Sequence, residues 1–198
     1  MSIHAEIEAK LKVDSLEAVE RRLAECGASF RAEKLQTDCY FDTADRTLTR
    51  TDQCVRLRRE KKGDRERLII TYKGAKEADD YKKRREIEFE VQDADQAEAF
   101  LDALGYRKAL AFDKRRRLWE LGGCEVALDE LPLIGVFVEI EGPNSDAIRR
   151  VQVRLALTDV PHVMDSYATL IAERLVRLGR KQTEIFLSRG GSGRHETV

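Results

Sequence analysis

Apolar and polar residues alternate with a period of two through eight stretches of this chain, a period that predicts β-strands. The stretches are residues 3–13, 35–42, 53–60, 66–73, 81–91, 107–121, 124–131 and 134–142. In the first, Ala5, Ile7, Ala9, Leu11 and Val13 share one side, while Glu6, Glu8 and Lys10 share the other. Val55 and Leu57 oppose Arg56 and Arg58, and Ile87, Phe89 and Val91 oppose Arg84, Glu86, Glu88 and Glu90. Between strands the apolar spacing lengthens to the helical period four times. One helix follows Asp14, which is placed to cap it, carries Leu16, Val19 and Leu23, and stops at Gly27. A second follows Asp93 and ends at Gly105, and a third, after Pro143, carries Ile148, Val151 and Leu155. A fourth spans about 165–178, with Asp165 as its cap and Gly179 as its stop. Asp42-Thr43-Ala44-Asp45 reads as a turn or short helical cap, and residues 74–80 as a loop.

The helices need an apolar surface to bury against, and the apolar strand faces supply it. The charged faces then go elsewhere. Either water covers them, or the sheet curls into a barrel with its polar face inside and helices outside. Composition favours the barrel, giving an α+β fold. The polar faces carry few of the Ser, Thr, Gln and Asn residues of a plain solvent face. They carry Glu6, Glu8, Lys10, Arg56, Arg58, Lys73, Arg84, Glu86, Glu88, Lys114, Arg116, Asp129, Glu139 and Glu141. Acids gather on the first and last two strands, and bases on the middle ones. Inward arginines and lysines would bind an anion with several charges. Clustered carboxylates repel unless a proton or cation intervenes, and their oxygens suit Mg²⁺ or Mn²⁺. Both sets in one interior fit a metal-complexed polyphosphate.

The totals narrow the picture further. At 198 residues the chain suits one domain, expected over 1–180, with 181–198 as a flexible tail ending near Gly190-Gly191-Ser192-Gly193. Charged residues make up 37%, yet net charge is −1, which argues against a simple basic nucleic-acid binder. No apolar run is long enough to span a membrane and no signal-peptide pattern opens the chain, so a cytoplasmic protein is expected. Cys26, Cys39, Cys54 and Cys124 form no Cys-x-x-Cys pair and read as reduced thiols. Arg115, Arg117 and Trp119 fall on the outward parity of their strand.

Glu6-x-Glu8-x-Lys10 resembles the N-terminal Glu-x-Glu-x-Lys signature of the CYTH family, the triphosphate tunnel metalloenzymes. Tyr40-Phe41-Asp42-Thr43, Arg56-Leu57-Arg58, Thr71-Tyr72-Lys73-Gly74 and Arg85-Glu86-Ile87-Glu88 are similar to that family's later motifs, in order. So are Lys114-x-Arg116, Leu128-Asp129, Glu139-Ile140-Glu141 and Ser166-Tyr167-x-x-Leu170, and the resemblance covers roughly residues 3–178. It implies an eight-stranded antiparallel β-barrel tunnel with a polar interior, flanked by about four helices, that handles a triphosphate with divalent metal. Carried onto this chain, it makes Glu6, Glu8, Asp129, Glu139 and Glu141 the metal ligands. Lys10, Arg56, Arg58, Lys73, Arg84, Lys114 and Arg116 become the triphosphate contacts. Lys10, Glu86 and Glu88 are the catalytic candidates: either glutamate could orient the attacking water or simply pair with Arg84 or Lys73.

Three functions are then weighed. The leading one is metal-dependent hydrolysis of a small triphosphate: inorganic triphosphate, a nucleoside triphosphate or thiamine triphosphate. The second is class IV adenylate cyclase. Cyclases of the family resemble one another in a His-Phe pair ahead of the first strand, whereas His4 here is followed by Ala5. The third is a non-catalytic polyphosphate- or nucleotide-binding module, against which the retained acids argue. The expected partner is a small triphosphate-bearing molecule, with no membrane and no nucleic acid. Homodimerisation is left open.

Overall fold

The computed structural model describes residues 2–75 and 82–187, without the side chains of residues 2–6, 82 and 83. Most of the expected loop at 74–80 and the glycine-rich end lie outside the described residues. The chain runs β1 (Ser2–Lys12), α1 (Leu16–Glu25), β2 (Ser29–Asp42), α2 (Thr47–Arg50), β3 (Cys54–Lys62), β4 (Arg65–Lys73) and β5 (Lys82–Val91). It continues through α3 (Ala94–Ala103), β6 (Arg107–Leu121), β7 (Cys124–Leu131), β8 (Gly135–Glu141), α4 (Ser145–Arg154), α5 (Tyr167–Arg177) and β9 (Glu184–Ile185). Among the described residues no helix is long and apolar enough to cross a membrane.

Eight strands pair antiparallel in the order β2-β3-β4-β5-β1-β8-β7-β6. β6 then pairs back onto β2, from Ser29↔Glu120 to Asp42↔Arg107, and the ring closes. An eight-stranded ring encloses a space that side chains or one small ligand can fill. Closure also removes sheet edges from the ring, since each strand has a neighbour on both sides. β9 adds a short parallel pairing beside Ala111 and Phe112 of β6.

Two apolar cores lie on the outer face. Leu16, Val19 and Leu23 of α1, with Ile148 and Val151 of α4, pack on Ala9, Leu11, Val126, Leu128, Val138 and Ile140. Ala97 and Leu101 of α3, with Leu48 of α2, pack on Phe41, Val55, Leu57 and Ile70. Each strand residue named has the apolar parity seen in the sequence. The third core differs. Tyr167, Ile171 and Leu175 of α5 bury against Leu110, Phe112, Leu131 and Phe137. Those strand residues share the parity of Lys114, Asp129 and Glu139, so α5 packs on the inner face of the ring. The sequence reading put every helix outside. The reason for the difference is that inward positions turn apolar at one end of β6, β7 and β8, and these need cover as much as the outer face does.

Other departures are local. Among the described residues there are five helices rather than about four, because α2 forms after the expected turn. Asp42 nucleates it, accepting from the Leu48 and Thr49 amides at 2.9 and 3.0 Å. Ser15, not Asp14, caps α1, its Oγ accepting from the Ala18 amide at 3.2 Å. Ser166, not Asp165, caps α5, accepting from the Thr169 amide at 3.1 Å. β2 begins at residue 29 rather than 35, because its early residues pair with β6, far along the chain. Within residues 181–198, expected as a tail, Ile185 is buried in the third core, and the Leu187 amide donates to Asp113 at 2.5 Å.

Ile171 is fully buried in the core that α5 makes with the inner face. Ile171→Ala is expected to cost about 2–5 kcal/mol of unfolding free energy, read from urea midpoints at constant slope.

Candidate active site

The inner parity of all eight ring strands delivers charged side chains into one cavity of about 750 Å³. Glu8, Lys10, Arg56, Arg58, Lys73, Arg84, Glu86, Glu88, Lys114, Arg116, Glu139 and Glu141 all line it. The side chain of Glu6 lies outside the described residues. Its backbone pairs with Arg84 across β1 and β5. Asp129 is the exception: it is fully buried and is not part of the cavity wall. Its carboxylate accepts from Arg116 Nε at 2.7 Å and from Tyr167 Oη at 3.0 Å, with Lys114 Nζ at 3.5 Å.

The basic residues divide by what already holds them. Arg58 pairs with Asp38 through Nε and Nη2, at 2.6 and 2.8 Å, and also lines the cavity. Burial alone would raise the Asp38 carboxyl, but the Arg58 and Arg56 guanidiniums hold it well below the usual range. Arg56 donates from Nη2 to Thr71 Oγ1 at 3.1 Å, and Thr71 in turn donates to Glu88 at 3.2 Å. The Nε groups of Arg56 and Arg84, both buried, have no hydrogen-bond partner among the described residues. Lys10 Nζ donates to the Asp165 carbonyl at 3.0 Å, lies 3.4 Å from Glu139, and sits 4.2 Å from the centre of the Tyr167 ring. Lys73 is paired with Glu86. Lys114 has its ammonium pKa pushed down to about 7, by burial first and by the neighbouring charge of Arg116 second. An arriving anion would restore that charge.

Acids concentrate where β1, β8 and β7 meet. Glu8 and Glu141 are register partners, as are Glu125 and Glu141 and as are Lys10 and Glu139. Arg116 also bridges Glu139. Among the described residues no three acidic, histidine or cysteine side chains converge into a ready-made metal cage. The donor chemistry nonetheless fits a hard divalent cation. Like charges directly opposite each other on neighbouring strands repel unless a cation sits between them, and carboxylate oxygens are what Mg²⁺ or Mn²⁺ prefers.

Three contributors escaped the sequence reading. Asp38 lies two residues before Tyr40 and so shares its side of the strand, but nothing in the sequence says that it neutralises Arg58. Glu125 lines the cavity across from Glu141, and its parity with Asp129 was the available signal. Tyr167, matched only as part of a helix motif, reaches Asp129 and Lys10 because α5 lies inside. Arg115 and Arg117 do face outward, to Glu130 and Glu20.

A model of the CYTH domain matches residues 4–152. The chain belongs to the CYTH domain family. A Methanocaldococcus jannaschii CYTH relative that provisionally bears the name adenylate cyclase is 31% identical over 141 residues, 71% of this chain and 78% of that protein. Among solved structures, the PH1819 protein of Pyrococcus horikoshii OT3 aligns with a TM-score of 0.74 at 27% identity, covering 85% of this chain and 99% of that one. A Hippeastrum protein, provisionally named an adenylyl cyclase and described as revealing a dominant triphosphatase activity, shares the fold. It has a TM-score of 0.65 at 17% identity, over 89% of this chain and 97% of that one. The CYTH assignment thus agrees with the order of motifs along the strands and with the closed ring they form.

Asp38→Asn removes the charge that answers Arg58 and is expected to cost roughly 3 kcal/mol at neutral pH. The folded-state pKa of Asp38 lies below its unfolded value of about 3.9, so the pair stabilises fully above about pH 5. That contribution is lost as pH falls through and below 4. Urea unfolding between pH 7 and 3 should show the wild-type protein beginning to lose this contribution below about pH 4 and the variant lacking that loss.

Proposed function

We propose that the protein is a divalent-metal-dependent hydrolase of small triphosphates. The observation that carries this reading is the set of buried cationic side chains lining one charged cavity, among them Arg56 and Arg84, whose Nε–H donors have no hydrogen-bond partner among the described residues. Leaving a buried donor unbonded costs about 1–3 kcal/mol. Two such donors beside Lys10, Lys73 and Lys114 describe a site built for an anion with several oxygens.

In this reading Arg56, Arg58, Arg84, Lys10, Lys73, Lys114 and Arg116 hold the phosphate oxygens and offset the charge that develops on transfer. Glu8, Glu139 and Glu141 would hold Mg²⁺ or Mn²⁺, with Glu125 alongside and Glu6 a further ligand. The ion would supply polarisation of the phosphoryl oxygens. Asp129 acts one layer back: it fixes Arg116 and Tyr167 rather than facing the substrate. Glu86 is engaged by Lys73, whereas Glu88 is held by the Thr71 hydroxyl and lines the cavity. Glu88 therefore suits the water-orienting role. It accepts a proton as water attacks the terminal phosphorus and the bridging oxygen departs with the remaining phosphates.

A second reading, adenylate cyclase, is favoured by the name of the Methanocaldococcus relative. In that reaction the ribose hydroxyl, not water, attacks and pyrophosphate leaves. The Hippeastrum protein's described triphosphatase activity and the absence of a His-Phe pair at His4-Ala5 support hydrolysis instead.

The purified protein with Mg²⁺ or Mn²⁺ should release phosphate from at least one of tripolyphosphate, ATP and thiamine triphosphate, and chelator should abolish release. Cyclic AMP from ATP with no phosphate release from any of the three would overturn hydrolysis. Arg58→Ala is expected to lower kcat/KM about 100-fold or more, and Glu8→Gln to weaken activation by metal. Full activity in both variants would remove the cavity from the chemistry.

A further inference from the structure

Gln36 lies on β2, on the inner face it shares with Asp38 and Tyr40, and lines the cavity with them. Tyr40 packs against the core that α5 makes with the ring. At about 3.3 Å per residue, Gln36 sits roughly 13 Å back along the strand from Tyr40. The Asp38–Arg58 pair lies between the two, so Gln36 faces a stretch of the cavity further from α5. Its register partners there are Glu60 of β3 and Lys114 of β6. Gln36 is only 2% exposed, and its Nε2 donates to Glu60 at 2.6 Å. Lys34 adds an ion pair to the same carboxylate at 3.0 Å.

The amide can stand only one way round. Burial alone would raise the Glu60 carboxyl, but Gln36 and Lys34 hold it below its usual value, so it is an ionised acceptor. It takes the NH₂ of the amide, and the reverse orientation would set two oxygens against each other. Oε1 is thereby committed to another direction, where it has no hydrogen-bond partner among the described residues. The other buried side-chain atoms in that condition are the N–H donors of Arg56, Arg84 and Trp119, so among the described residues Gln36 Oε1 is the one acceptor. Two properties then define what fits beside it. Lys34 and Lys114 attract negative charge, and an anion restores the charge that burial weakens on Lys114. The Gln36 oxygen, with the Glu60 carboxylate behind it, repels a bare oxyanion and accepts from a hydroxyl. A metal cation would suit the acceptors but is repelled by the two lysines. An anion that carries its own O–H satisfies both.

We propose that Gln36, Lys34 and Lys114 form a site for hydrogen phosphate, the small product of the hydrolysis. The inference rests on the triphosphate reading above and deepens it. Orthophosphate at neutral pH keeps at least one P–O–H. That hydroxyl donates to Gln36 Oε1 while the bare oxygens take the two ammonium groups. Sulfate has the same shape and no such proton, so it would set an oxygen against the amide oxygen. A site with a buried acceptor discriminates against a ligand that lacks the matching donor, because the acceptor is then left unpaired. Gln36 therefore selects phosphate among tetrahedral oxyanions by its proton rather than its size.

The test is calorimetric binding of orthophosphate and of sulfate at neutral pH to the wild-type protein, Gln36→Met and Gln36→Asn, with triphosphate turnover measured in parallel. The wild-type protein is expected to hold orthophosphate about tenfold or more tighter than sulfate. Gln36→Met keeps the volume and removes the acceptor, so orthophosphate affinity should fall to that of sulfate, with sulfate affinity no weaker than before. Gln36→Asn keeps an amide drawn back by one methylene; it should lose the preference too, and it serves if methionine prevents folding. Equal binding of the two anions by the wild-type protein, no binding of orthophosphate, or a preference that survives in a folded variant would overturn the site while leaving triphosphate hydrolysis standing. If the wild-type protein neither turns over nor binds tripolyphosphate, ATP or thiamine triphosphate, the triphosphate reading itself fails and the product site with it.

Discussion

Charge buried inside a closed sheet has to be answered from within, and most of this structure follows from that constraint. An isolated ion in a protein interior costs several kcal/mol even after relaxation. The ring holds acids and bases from all eight of its strands, and it tolerates them because they are interleaved. Asp38 answers Arg58, Glu86 answers Lys73, and Asp129 answers Arg116. The strand register sets up some of these pairs directly: Asp38 faces Arg58, and Arg116 faces Asp129. The outer face then has only apolar work to do, and four of the helices bury there. Among the described residues, the interior leaves the Nε donors of Arg56 and Arg84 without a hydrogen-bond partner.

Asp129 and Asp38 show how a carboxylate's environment decides its part. Glu8, Glu139, Glu141 and Asp129 look alike in sequence, each alternating with apolar residues on a strand. Asp129 is shorter and sits where β6 and α5 converge, so arginine and tyrosine donors reach it and it leaves the cavity wall. Through Tyr167 it also couples the plug helix to the charged strands. A helix that merely filled the end of the ring would need no such polar contact. This one places an aromatic ring over Lys10 as well, which orients the ammonium by the attraction of a cation for a π face.

The period-two parity made the strands and the inward set of charged residues legible, because a sheet residue's side follows from its position alone. Helix starts were read one residue early at Asp14 and Asp165, since serine next door makes the cap hydrogen bond equally well and only the backbone angles decide. Parity could not reveal which inward groups spend their charge on each other, because that depends on which strands become neighbours. β2 and β6 are separated in sequence by three other strands, and no local pattern announces their pairing. For the same reason the inner placement of α5 was hidden. Leu110, Phe112 and Phe137 carry the right parity for the interior but the wrong polarity, and only the closed ring shows that a helix fills the gap.

The pairing of β2 with β6 has a consequence for how the protein is made. β1 to β5 emerge from the ribosome long before residue 121, and until then β2 has no partner on one side. Until β6 is made, no closed ring surrounds the inner charges of β3, β4 and β5. Long-range strand pairing of this kind is slow, and an unpaired strand edge invites association with other chains. The lysines and glutamates crowded onto these strands are of the kind that discourages such association. The charges that end inside the ring would, during synthesis, first keep one nascent chain apart from the next.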